Sequence, residues 1–176
     1  VHPDIRDQAY QFFIEEAPDL LQAIETGLLT LRQERTTNLV HTLMRSAHSL
    51  KGGAASVELD AIASLAHRLE TIFKVLYNQT VEIDTDLESQ LLSAYDCLRL
   101  PLIQQIREGY FDAEHALIQA DTIFTQLEER FKDILAQAEA YIPSSSDLGV
   151  DMTKSIFEVD VKEGLERLAA VVAQPE

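Results

Sequence analysis

The chain has little of what an extracellular, membrane-spanning or nucleic-acid-binding protein needs. Its 176 residues contain one cysteine, Cys97. No internal disulfide can form, and the residues around it, Tyr95 to Leu100, read as helix rather than as a metal knuckle or a CxxC redox pair. A reducing, cytoplasmic setting is expected. Basic residues are also scarce, with 14 Lys and Arg against 30 Asp and Glu for a formal net charge of -16. Such a surface repels phosphate backbones and anionic lipid, so no nucleic acid partner is expected. No apolar run approaches the roughly 20 residues that cross a bilayer, and Val1-His2-Pro3-Asp4 has no signal-peptide pattern. Membrane insertion is therefore not expected, and the start without Met reads as that of a fragment of a longer protein. A glycine-rich nucleotide loop, a nucleophile elbow and HExxH or ExxH metal patterns are all missing. No metal, no cofactor and no enzyme activity of the chain's own are expected.

Glycine and proline are few, six and five residues, which leaves long stretches free to form helices. At 46% hydrophobic residues the chain can bury one sizeable core. Apolar residues recur every three or four positions through most of residues 1–140, the period of amphipathic helices. At least five are predicted. The first runs from about Asp4 to Glu16 and stops near Pro18. A second runs from Asp19 to about Glu34, with Leu20, Ile24, Leu28 and Leu31 on one side. Thr36 or Thr37 caps a third, about Asn38 to Ala55, and Asp60 opens a fourth that reaches about Tyr77. After the turn at Asn78-Gln79-Thr80, Thr85 and Glu88 are spaced as a capping box for a helix to about Arg107, bent at Pro101 and ended at Gly109. A last helix runs from Asp112 to about Ala140. Residues 1–142 thus form the globular unit. Pro143 to Gly149 is rich in Pro, Ser and Gly and reads as a linker. Residues 150–176 are a tail, or the start of a following module, too short to fold alone; its apolar positions Leu165, Leu168 and Val172 make self-association through it an expectation.

The chemistry concentrates in the Asn38–Ala55 helix. At about 100° per residue, Leu39, Leu43, Ala47, Leu50 and Ala54 share one side, and His48 projects roughly 135° away from it, towards solvent. Lys51 and Gly52 flank His48 at roughly 60° and 40° on either side. Gly52-Gly53 costs about 1 kcal/mol per glycine relative to alanine, a cost that close approach of another protein would offset. A neutral imidazole keeps a lone pair on one nitrogen and a proton on the other, so it can accept a phosphoryl group without a separate base. Attack through Nε2 needs an acceptor at Nδ1 that fixes the tautomer and compensates the charge developing on the ring. Glu70 is the best candidate. It borders the apolar stripe Leu59, Ile62, Ala66, Leu69 and Phe73 of the next helix, with His67 three residues earlier on nearly the same face. Lys51 is the cation for the phosphoryl oxygens. Against this stand plainer readings: Lys51 as a solvated cation, Glu70 as the i,i+4 partner of Lys74, and His67 as an exposed neighbour. His2, His41 and His115 read as surface residues, and the remaining apolar stripes and acidic faces as core and solvated surface.

The segment from Ala47 to Ala55, His48-Ser49-Leu50-Lys51-Gly52-Gly53-Ala54 at its centre, followed by His67-Arg68-Leu69-Glu70, resembles the histidine phosphotransfer domain (HPt) of CheA-type chemotaxis histidine kinases. By helix order the resemblance covers roughly residues 5–140, with its distinctive residues confined to positions 45–74. It implies an all-α fold, an antiparallel four-helix bundle with an additional C-terminal helix. It also implies phosphorylation of His48 at Nε2, with supporting roles for Lys51, His67 and Glu70. The family's ATP-binding catalytic domain is absent from this chain, so phosphate is expected from a histidine kinase ATP-binding domain. The acceptor is expected to be the aspartate of a response-regulator receiver domain that docks over Ser49, Gly52 and Gly53. Glu58 departs from the pattern, since such domains often carry glycine near that position. The competing reading is a helical interaction or dimerisation module that is never phosphorylated.

Overall fold

The computed structural model describes residues 3–141, all of whose regular structure is helical: α1 (Pro3–Leu31), α2 (Thr37–Ser56), α3 (Asp60–Val75), α4 (Thr85–Glu108), α5 (Ala113–Arg130) and α6 (Lys132–Tyr141). The expected linker at 143–149 and tail at 150–176 lie outside the described residues. The chain divides into two units at the Lys132–Asp133 boundary, with α1 to α5 in the first. Within that unit α2 packs between α1 and α3, α4 closes the ring against both α1 and α3, and α5 covers the seam of α3 and α4. This is the antiparallel four-helix bundle with an additional helix that the sequence predicts. Among the described residues, no helix is long and apolar enough to cross a membrane.

Two predicted helices are one. α1 runs through Pro18, because the apolar stripe keeps its register across it: Phe13, Ala17, Leu21, Ile24, Leu28 and Leu31 are all buried. Leu21, rather than Leu20, faces the core. Pro18 lies on the exposed side, where water can satisfy the carbonyl that proline leaves unpaired. Burying those side chains, about 1.5–3 kcal/mol for each large one, exceeds the roughly 3 kcal/mol that an interior proline costs.

Cap chemistry sets the other boundaries. The Thr36 hydroxyl accepts from the Leu39 amide at 3.0 Å to open α2. α4 is opened by Asp84, not Thr85, its carboxylate accepting from the Leu87 amide at 2.8 Å. Asp112 caps α5 in the same way through the His115 amide. Gly109, at φ 81°, ends α4 in the left-handed conformation that glycine adopts without strain. The single long final helix of the sequence reading is instead two helices, parted at Phe131, whose φ of -102° and ψ of 14° leave the helical region. Phe131 is buried, and neither glycine nor proline marks the break.

The α2–α3 turn sets the register of the site. The Leu59 amide reaches back to the Ala54 carbonyl at 2.8 Å and the Glu58 amide to the Ala55 carbonyl at 3.1 Å, a Schellman closure. That closure needs a left-handed residue after the cap, and Glu58 supplies it at φ 64°. A side chain there costs about 1–2 kcal/mol. Glu58→Gly is therefore expected to be more stable by about 1 kcal/mol than Glu58→Ala, which lacks the same carboxylate but keeps the Cβ. A urea midpoint for Glu58→Gly below that of Glu58→Ala would contradict this.

Buried polar contacts align the remaining helices. The Tyr95 hydroxyl donates to the Leu21 carbonyl at 2.8 Å and the Gln105 amide to the Tyr10 hydroxyl at 2.9 Å, joining α4 antiparallel to α1. Arg68 docks α5 on α3. Its guanidinium meets both oxygens of Glu128 at 2.9 and 3.0 Å and sits 5.0 Å over the Phe124 ring.

Candidate functional site

α2 and α3 run antiparallel and bring His48 opposite Glu70. Leu43, Ala47, Leu50 and Ala54 point into the core of the bundle with no exposure, so the helical period turns His48 outward, its side chain 62% exposed. Glu70 lies at the edge of the α3 core stripe between the fully buried Leu69 and Ile72, and its side chain is only 6% exposed. His48 Nδ1 is 2.9 Å from Glu70 Oε2. Lys51, one turn beyond His48, places Nζ 2.8 Å from Oε1, an ion pair by distance without the alignment of a hydrogen bond. Lys74 Nζ lies 4.0 Å from Oε2. His67 sits at the margin, exposed, with Nδ1 3.9 Å from Oε1.

These contacts decide the protonation of the carboxylate. Burial alone would push its pKa up. The hydrogen bond from His48, the contact with Lys51 and the positive charges of protonated His48 and of Lys74 overcome that and bring Glu70 down to about 2. An ionised carboxylate only accepts. The proton of the His48–Glu70 hydrogen bond therefore belongs to Nδ1, and a neutral His48 ring carries its lone pair on Nε2. No described residue bonds to Nε2, and with Nδ1 turned to the buried Glu70 the 62% exposure of the side chain leaves Nε2 open to approach. The site thus presents an outward nucleophilic nitrogen, a buried anion behind it and a cation at its flank.

The two glycines serve different ends. A Cβ on Gly52 would meet nothing within 4 Å, so this position is open surface beside His48. A Cβ on Gly53 would sit 2.7 Å from the Phe13 ring of α1, so that glycine lets two helices of the bundle approach. Gly52→Ala is expected to stabilise the fold by up to about 1 kcal/mol through helix propensity. Gly53→Ala is expected to destabilise it by about 1–2 kcal/mol through overpacking. Thermal melts of the two variants shifted in the same direction would contradict this assignment. Ser49 is exposed next to His48.

The other histidines stand apart. His41 Nδ1 is 3.2 Å from the Tyr77 hydroxyl, and burial together with the Arg45 charge holds its pKa below the ordinary value. The Cys97 thiol is pushed up by burial and by Asp96, the reverse of an activated nucleophile. Among the described residues no group of three or more His, Cys, Asp or Glu is placed to hold a metal ion. Arg45 is exposed on α2 one turn before His48, at a three-residue spacing that the sequence already shows.

The Hpt domain family model matches residues 8–141. The chemotaxis protein CheA of Cereibacter sphaeroides is 33% identical over 154 residues, which take in 82% of this chain and 22% of that protein. The chemotaxis protein CheA of Treponema pallidum (strain Nichols) is 25% identical over 76% of this chain and 14% of its own length. The chain thus spans about a fifth or less of the length of these relatives. Among solved structures, the phosphorylated P1 domain of CheA3 in complex with CheY6 from R. sphaeroides is similar with a TM-score of 0.60. At 23% identity, that match covers 72% of this chain and 98% of the other, a likeness of fold.

Proposed function

Because this chain belongs to the Hpt domain family, we propose that His48 accepts a phosphoryl group from the ATP-binding domain of a histidine kinase and passes it to the aspartate of a response-regulator receiver domain. What supports this reading is a largely exposed His48 ring whose Nδ1 lies 2.9 Å from the buried Glu70 carboxylate and whose Nε2 bonds to no described residue. On loading, the Nε2 lone pair forms a bond to the γ-phosphorus of ATP as the bond to ADP breaks. The ring becomes cationic while Nδ1 keeps its proton, and Glu70 behind it compensates the charge. On transfer, a carboxylate oxygen of the receiver attacks phosphorus and the N–P electron pair returns to Nε2. Neither step requires a proton to leave Nδ1, so no further base is needed.

Lys51, held beside Glu70, sets a positive charge next to the path of the phosphoryl oxygens, and His67 supports the same carboxylate from the margin. Open surface at Ser49 and Gly52 lets a second protein come close to Nε2. The chain is then a phosphoryl carrier rather than a catalyst, working in a reducing, cytoplasmic setting, and a chemotaxis-like phosphorelay is the process that its CheA relatives suggest.

Labelled phosphate tests the proposal. A histidine kinase catalytic domain with labelled ATP should give the wild-type chain an acid-labile, base-stable label and leave His48→Gln unlabelled. Equal labelling of the two would contradict it.

A further inference from the structure

One cation beside His48 has no part in the network around Glu70. Arg45 is exposed and forms no ion pair with any described residue, whereas Lys51 and Lys74 both face Glu70. α2 carries no Asp or Glu anywhere along its length, although the chain as a whole is strongly acidic. Arg45 consequently has no anionic neighbour on its own helix. Its charge instead falls on His41, itself a group that becomes cationic on protonation.

The direction of Nε2 gives this guanidinium a use. Residues three apart on a helix lie about 60° apart around it, with Cβ atoms roughly 5–6 Å from each other. Lys51 lies on one flank of His48, the one facing α3, as its contact with Glu70 requires. Arg45 lies on the opposite flank. Because Nδ1 is turned to Glu70 on α3, Nε2 on the far side of the ring is turned towards the Arg45 flank. Helical side chains also lean towards the N-terminus, which sets the His48 ring over the turn that holds Arg45.

Resting on the reading of His48 as a phosphoryl acceptor, we propose that Arg45 is a phosphoryl clamp, its guanidinium pairing with the phosphoryl oxygens once Nε2 is loaded. A guanidinium offers paired N–H donors that match two phosphate oxygens at once. The unloaded site leaves those donors to water, so loading creates the ion pair.

The test needs no protein partner. The full chain is treated with potassium phosphoramidate, a small donor that does not depend on docking, and the phosphoryl group on His48 is titrated by phosphorus NMR. A cation a few ångströms away should make the wild-type phosphoryl ionise at lower pH than in Arg45→Gln by about half a unit, roughly threefold in its acid constant. Arg45→Lys should recover part of that shift, and 0.5 M salt should narrow it. Superimposable titrations of loaded wild type and Arg45→Gln would overturn the clamp while leaving the carrier reading intact. Failure of His48 in the folded wild type to load at all would overturn both.

Discussion

Glu70→Gln is expected to slow phosphoryl loading of His48 on the order of 10²-fold while leaving the helical content unchanged. The substitution keeps size and shape and removes one charge, yet the amide satisfies the site in neither orientation. With its oxygen towards His48, its NH2 group faces the Lys51 ammonium, donor against donor, where Nζ now lies 2.8 Å from Oε1. With the amide reversed, NH2 faces Nδ1 and pushes the ring proton onto Nε2, which removes the lone pair that attacks phosphorus. Either way no anion remains to compensate the cationic phosphohistidine ring. Stopped-time labelling with equal kinase and ATP for both chains measures the ratio. A change of less than about threefold would mean that the 2.9 Å contact is structural only.

The second large effect is on acid stability. Glu70 stands at about 2 in the folded chain against an ordinary value of 4.5. A carboxylate depressed in this way contributes stability that is fully present above the unfolded value and lost as pH falls towards the folded one. The difference corresponds to about 3 kcal/mol, lost between about pH 5 and pH 2. Urea unfolding across that range should show wild type losing about 3 kcal/mol more than Glu70→Gln, since glutamine has no proton to gain. The many other carboxylates titrate in both chains and cancel in the comparison. Parallel pH profiles would show that Glu70 is not held ionised by His48, Lys51 and Lys74, and would remove the ground for placing the proton on Nδ1.

Much of the fold is legible because helical period and turn chemistry agree along most of the chain. Thr36, Asp60 and Gly109 mark boundaries where local sequence decides them, and all three stand where the structure begins or ends a helix. Local rules fail where tertiary packing outweighs them. Pro18 does not break α1, because the stripe from Phe13 to Leu31 is buried as one surface. Phe131 parts α5 from α6 with no local signal at all. The outward turn of His48 follows from the spacing of Leu43, Ala47 and Leu50 on its own helix.

The contact with Glu70 is a different matter, because it depends on the register of α2 against α3, which a left-handed Glu58 helps to fix. No single helix shows that register. The same holds for Gly53, whose reason for lacking a side chain is a phenylalanine forty residues earlier in the chain. Placements that depend on one helix could be read in advance, and those that depend on two could only be nominated.

Nε2 of His48 is expected to carry the phosphoryl group while Nδ1 keeps its proton on Glu70. The most direct measurement is nitrogen–phosphorus correlation NMR on the loaded chain with labelled histidine. Phosphorus should couple to Nε2 of His48, with a proton retained on Nδ1 and that Nδ1 proton resonance lost to solvent exchange in Glu70→Gln. Phosphorus coupled to Nδ1, or carried by any residue other than His48, would contradict it.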